Sequence, residues 1–443
     1  MRTKSPLLVL GLLVVACLCP GPLAAQDVVP PAQFILVVPA VSFEPAQPRI
    51  DRPRVITTVG FIDGGIPTTD APAVDFKEPP GDEPARFWAR GEYLLWRVTA
   101  APVAVPLVSS NSLPNIGALN EPGTTILFGA GSGQDTNFGT CSGARVTLGG
   151  WLDKDYECTW EFSGFVLERR SFNFNAASAG GQTPGVSIPF NATEPFNPPF
   201  NPAGETALSA GGAPSNAAVH LTSQLWNLEL NEMVYLSSSK QFYCAAVLGF
   251  RHLNLTENLT LVHTTFDTGN NGTIAVTDGF GTRNQFYGAQ VGTRFGMSLG
   301  RWNIDAAALF AVGPMYQHVY ISGATTVTNG AFGFVDGSTP GGVFAEPSNI
   351  GSSSRNILAL TSDLNLKVGF AVTPRFQPYC AYNALYVSSV ARPGNQIDRN
   401  VNPTQNAFFV PPGTLTGTAS PLPMIRGSDF WAHGLQIGME FRF

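Results

Sequence analysis

The last nine residues constrain this chain most. Leu435, Ile437, Met439, Phe441 and Phe443 alternate with Gln436, Gly438, Glu440 and Arg442. A period of two sends the first set to one face of a β-strand and the second set to the other. One face is then wholly apolar and ends in two aromatic rings. The opposite face carries both signs of charge.

The spacing Gly438-x-x-Phe441-x-Phe443 resembles the signal by which outer-membrane β-barrels are recognised for insertion. An ordinary terminal strand of a soluble sheet is the competing reading. The other end of the chain favours the barrel. Arg2 and Lys4, the apolar run Leu7 to Val15 and the small pair Ala24-Ala25 make residues 1–25 a signal peptide. Val14-Val15-Ala16-Cys17 offers an alternative lipoprotein cleavage site, which would acylate Cys17. No later stretch reads as a membrane-spanning helix. That leaves strands open as spanning elements, since each needs only about 9–11 residues.

Charged residues make up only 13% of the chain, while Gly (47), Pro (36) and Phe (31) are plentiful. This suits strands and long loops better than helices. The net charge of −6, without a basic patch, argues against a nucleic-acid partner. Residues 26–85 repeat Pro, as in Val29-Pro30-Pro31 and Glu78-Pro79-Pro80, and read as an extended periplasmic linker. Cys141, Cys158, Cys244 and Cys380 have no metal-ligand spacing, and a disulfide among them is left open. Cys158, in line with Tyr156, Trp160 and Phe162, reads as a small apolar strand residue.

From residue 86 to 443 the chain falls into ten alternating segments: 86–98, 140–152, 156–170, 218–236, 241–253, 284–299, 301–320, 356–371, 375–390 and 428–443. Asp153-Lys154-Asp155, Ser237 to Lys240, Leu299-Gly300-Arg301 and Thr373-Pro374-Arg375 make short connections. Every other connection is roughly 30–47 residues long, where ordinary loops run about 4–6. Short and long alternate without a break, as in an up-and-down membrane barrel with short periplasmic turns and long outer loops. An all-β, antiparallel transmembrane barrel of about ten strands is the expectation. Leu259 to Phe266 and Gly272 to Thr277 also have strand character, so twelve strands is the alternative.

Sorting each segment by parity separates apolar from polar faces. Trp226, Leu228 and Leu230 oppose Asn227, Glu229 and Asn231; Leu364, Leu366 and Val368 oppose Asp363, Asn365 and Lys367. A charge facing lipid at mid-depth would cost about 2–4 kcal/mol, so the charged faces point inward. Pooled, they supply a lumen network of Arg90, Glu92, Arg145, Glu157, Glu161, Glu229, Arg294, Asp305, Asp363, Lys367, Glu440 and Arg442. Ten strands enclose a narrow lumen, which long side chains of both signs would block. Tyr93, Trp96, Trp151, Tyr156, Trp226, Tyr235, Tyr243, Trp302, Tyr379 and Phe443 are candidates for interfacial girdles, or for simple wall packing.

The first segment, Phe87-Trp88-Ala89-Arg90-Gly91-Glu92-Tyr93-Leu94-Leu95-Trp96, resembles the opening of a planctomycete-type outer-membrane β-barrel family, the BBP-seven family. Pro122 to Gly129, Ser142 to Leu152 and Gly434 to Phe443 fit the same family. The resemblance runs from about residue 86 to the end. It implies an outer-membrane barrel and no known activity, so no catalytic residue carries over.

Three functions compete. A structural or surface-binding barrel would use its long loops. A transporter would need a narrow channel for small solutes. A barrel-embedded hydrolase would place acids and His at the outer rim, where His252, Glu257, His263 and Asp267 fall. There is no His-Glu-x-x-His, Ca²⁺-loop or phosphate-loop pattern. The expectation is a non-enzyme with no cofactor and no metal. Its partners would be outer-membrane lipid, the barrel-assembly machinery and candidate cell-surface or envelope components.

Overall fold

The computed structural model describes residues 85–181, 183–195, 202–239, 241–406 and 415–443. The signal peptide, Cys17 and all but the last residue of the Pro-rich linker lie outside them. Ten antiparallel strands close into a ring. They are β1 (Phe87–Val98), β2 (Thr140–Trp151), β3 (Cys158–Leu167), β4 (Ser215–Ser238), β5 (Phe242–Asp267), β6 (Gly272–Leu299), β7 (Trp302–Thr328), β8 (Gly351–Phe370), β9 (Phe376–Ala391) and β10 (Gly427–Arg442). Each pairs with its neighbours in sequence, and β10 returns to β1 in the register Trp88↔Arg442 through Val98↔Ala432. Closure leaves no edge in lipid, which a membrane sheet requires.

The alternative of twelve strands is resolved by strand length. Leu259–Phe266 and Gly272–Thr277 are no separate hairpin. They are the upper halves of β5 and β6, paired continuously from Phe242↔Met297 to Asp267↔Gly272. The connection expected to be a long loop is a four-residue turn on a tall hairpin. β4 to β7 run 24–28 residues, about twice the length of β1 to β3. The wall is therefore tall on one side and low on the other.

The reason the upper halves escape a simple polarity count lies in the solvent. Within the bilayer, outward residues such as Leu148, Phe162, Leu230, Phe250, Val291, Phe310, Leu364 and Ile437 are exposed and apolar. Further up, the wall leaves lipid for water and the rule inverts. On β5 the outward residues become Thr256, Asn258 and Thr260, while the inward ones become Leu253, Leu255, Leu259 and Leu261, all buried. Alternation persists through the change, but its chemical sense reverses.

The loops are built into that upper barrel. Pro106–Asn111 and Thr125–Gly129 come from the β1–β2 connection, Gly185–Ala192 and Gly204–Ser209 from β3–β4, and Asn400–Val401 from β9–β10. They form a second, five-stranded sheet. Arg170–Ser178 zips onto the upper half of β4. Leu107, Val108, Phe128, Val186, Ile188 and Phe190 of the small sheet join Leu253, Phe280, Phe286, Met315 and Phe430 of the wall in one buried cluster. These five cap segments read as loop in sequence because four of them are only two to six residues long and the fifth is almost wholly buried. That fifth, Gly185–Ala192, has no polar-out alternation to see.

Candidate functional site: a lumen closed at two levels

From the end with the short turns, the lumen opens as a cavity of about 760 Å³. Trp88, Trp151, Tyr235 and Tyr243 line one side of it. The aromatic rings lie against wall positions that lack a side chain. A Cβ on Gly438 would meet the Tyr379 ring at 2.6 Å, and one on Gly296 would strike Tyr243. Glycine at these two positions lets the inward rings lie close to the wall.

Above this vestibule the lumen shrinks to a space of about 100 Å³ among charged side chains. Arg90 bridges Glu161 at 2.5 Å and Glu440 at 2.7 Å. Arg294 reaches Glu161 at 3.1 Å, and Lys367 reaches Asp305 at 3.2 Å and Glu440 at 3.8 Å. Arg442 meets Glu440 at 2.6 Å from a half-exposed position at the mouth. Arg145 pairs more loosely with Glu92, at 3.6 Å, and Tyr379 donates to Glu92 at 2.7 Å. Trp88 donates through Nε1 to Glu161 at 3.0 Å.

Eleven of the twelve residues expected in the lumen stand there. Glu157 does not: it is exposed in the β2–β3 turn, and its backbone N–H donates to Asp153. Strand β3 begins at Cys158, so the parity read from Tyr156 placed a turn residue on a strand face. Tyr156 sits in a positive-φ turn conformation instead. One charged member of the ion-pair network lies outside the expected set. Arg251 is 1% exposed and links Glu229 of β4, at 3.0 Å, to Asp363 of β8, at 3.1 Å. It sits on β5 among inward residues that are small or apolar, Ala245, Val247, Gly249 and Leu253, so no polar face marks it. With Arg251 included and Glu157 removed, cations and carboxylates of the network number six each. A balanced set of close pairs offers no one-sign ring of the kind that selects ions.

The second closure is the apolar cluster beneath the small sheet. One ion pair crosses it. Arg392, from the β9–β10 loop, holds Glu257 of β5 through Nε at 2.5 Å and Nη2 at 2.8 Å, and both side chains are buried. Such a two-point fork fixes geometry as well as charge. On the tall side, the β7–β8 loop turns inward at Gly341–Glu346. Asp278 Oδ1 accepts from the N–H groups of Val343, Phe344 and Ala345 at 3.0, 2.9 and 2.7 Å.

Burial pushes the Asp278 carboxyl up to about 6, against the pull of those three N–H groups. Burial also holds Glu346 well above the usual range, with the Asp278 charge adding to it. Both groups bind their protons more tightly folded than unfolded. The contribution of Asp278 is full below about pH 4 and is lost as pH rises through about 6, and that of Glu346 is likewise lost as pH rises. His263, hydrogen-bonded to the Val186 carbonyl, is pushed down by burial and works in the opposite direction, losing its contribution as pH falls below about 6.5. Protease cleavage of the 329–350 loop should increase between about pH 5 and 7. Asp278→Asn should flatten that rise, and an unchanged profile would assign it elsewhere.

The His and acid residues considered for hydrolysis are not brought together. His252 points outward, stacked on Tyr287 at 4.4 Å and against Trp226 at 4.9 Å. His263 points inward and is buried, Glu257 is held by Arg392, and Asp267 ends β5 at the tip. The girdle candidates also divide. Tyr93, Trp302 and Phe443 are exposed and Trp226 faces out, whereas Trp96 and Tyr379 are buried inside. Cys141, Cys158, Cys244 and Cys380 are all free thiols. Of the C-terminal residues, Gly438 faces the lumen, Phe441 packs on Phe376 at 4.9 Å and Phe443 stacks with Phe87 at 6.3 Å.

A closed ten-stranded ring, apolar outside and charged within, with short turns at one end and long connections at the other, defines an outer-membrane β-barrel. The chain belongs to the putative beta barrel porin-7 (BBP7) family, whose sequence profile matches residues 88–443. Among curated proteins, none matches this chain. The outer membrane protease OmpT of Escherichia coli is a structural neighbour, at 9% identity and a TM-score of 0.40, covering 81% of this chain and 97% of that one. A FadL homologue of Pseudomonas aeruginosa is another, at 8% identity and a TM-score of 0.21, covering 81% and 90%.

Proposed function

We propose that this barrel is a closed, non-enzymatic scaffold of the outer membrane that presents its folded cap to the exterior as a binding surface. Export would use the signal peptide at residues 1–25. Insertion would use the assembly machinery, with Gly438, Phe441 and Phe443 as its signal. Candidate partners of the cap are cell-surface or envelope components.

The observation that carries this reading is the double closure. A solute entering the vestibule meets six paired cations and six paired carboxylates, then an apolar core. Separating a buried ion pair by removing one partner costs about 3–5 kcal/mol, so the charge layer is not a passage at rest. Folded protein in planar bilayers should give no conductance steps. Reproducible steps from the unmodified chain would overturn the proposal. The family description and the 760 Å³ vestibule favour the second reading, a narrow channel. That reading requires the cap and the ion layer to move together.

A further inference from the structure

We propose that the outward face of the tall wall carries a seat for the phosphate of an outer-leaflet lipid headgroup, centred on Arg283. The level of the bilayer surface is marked by the outward stack Trp226–His252–Tyr287, because amphipathic rings settle at the headgroup level. Arg283 lies two outward positions above Tyr287 on β6. It is exposed, and Asn254 Oδ1 accepts from its Nε at 3.0 Å. Asn254 is itself buried and donates to Thr256 Oγ1 at 3.2 Å. The guanidinium is thus held in place through one nitrogen, and among the described residues Arg283 forms no ion pair.

The register sets a row across four strands. Arg283 is opposite Thr256 on β5 and His318 on β7, and His318 is opposite Ser354 on β8. His318 Nδ1 and Ser354 Oγ are 2.9 Å apart. Neighbouring strands are spaced about 4.8 Å, so Thr256 and His318 each flank Arg283 one strand away, on either side of an anion seated on its guanidinium. The outward positions of β4 to β8 above that stack carry mainly Thr, Ser, Asn, Gln, His, Ala and Gly, with Tyr316 and Tyr320 on β7 and Val262 and Phe266 on β5, and no carboxylate. Arg283 is the one permanent charge among them. The cations of the lumen network are each matched by a carboxylate; Arg283 on the outer face meets none among the described residues, which leaves it to an anion from outside.

Polarity down the wall selects a lipid over a free ion. Beneath the Arg283 row come the rings of His252 and Tyr287, then Phe250 and Val291, exposed and apolar. A molecule that is phosphate at one end and hydrocarbon below matches that order. A free anion matches only its top.

The test uses the full chain folded in phosphatidylcholine nanodiscs, with phosphatidylglycerol as the added anionic lipid and native mass spectrometry to count retained lipid. Arg283→Gln should weaken retention about tenfold, the worth of a charge-assisted hydrogen bond. Heat-modifiable gel migration should be unchanged, since Arg283 is exposed. Lys154→Gln, in a turn at the opposite end, should retain the lipid as the unmodified chain does. Equal retention by Arg283→Gln would overturn the proposal, and so would an equal loss in Lys154→Gln. Displacement of the lipid by excess inorganic phosphate would also overturn it, by showing a seat for the ion alone.

Discussion

Arg392→Met should unfasten the cap, destabilising the folded outer region by about 3–5 kcal/mol, because Glu257 would be left charged and unpartnered in an apolar core. The double replacement Arg392→Met with Glu257→Leu should recover most of that loss, since it removes both charges together. Urea unfolding from lipid vesicles measures the stability, and protease digestion of the outer loops reports where it is lost. The contrast between single and double variants is the informative part. If both are equally damaging, the pair is not what holds the β9–β10 loop to β5. The Arg392–Phe430 contact at 5.3 Å would then become the better explanation.

Deleting Phe443 should reduce folded barrel in the outer membrane roughly tenfold or more. Phe443 and Phe87 exchange two backbone hydrogen bonds, each 2.9 Å, at the seam between last and first strands. Each backbone group left facing hydrocarbon costs several kcal/mol, and about 1.4 kcal/mol is a factor of ten. Phe443→Ala keeps the two hydrogen bonds and loses only the ring. A severe defect in Phe443→Ala would locate the effect in recognition of the aromatic side chain; a mild one would locate it in seam closure. Normal levels of the deletion variant in heat-modifiable gels would remove both explanations.

The membrane half of this fold is legible in the residues. Leu364, Leu366 and Val368 against Asp363, Asn365 and Lys367 assign the faces of β8 from period two and the cost of charge in lipid alone. The short turns and the strand number follow from spacing. The half in water is less legible for a physical reason. At Arg251–Leu253 on β5 and at Tyr287–Phe286 on β6, the inside becomes apolar and the outside polar, so a rule built on lipid outside ends where lipid ends. The cap segments are obscure for another reason. Val186, Ile188 and Phe190 are buried against partners drawn from several loops, and no local period announces contacts between residues 185–192 and 400–401. Arg251 is obscure because its neighbours on the inward face of β5, Val247, Gly249 and Leu253, are small or apolar, and Arg392 because it lies just past β9 in a connection with no alternation to place it.

The small sheet also imposes an order of events. Its strands come from three connections, and Asn191 meets Asn400 across 209 residues of chain. Such contacts form only after the intervening loop entropy has been surrendered, which delays them relative to neighbouring hairpins. The Arg392 clasp needs β5 and the β9–β10 connection present together. Wall strands pair one after another along the chain, but the lid over them can be completed only when nearly the whole chain is in place. By the same measure the seam is later still, since Arg90 and Glu440 lie 350 residues apart, so capping and ring closure both fall at the end of assembly.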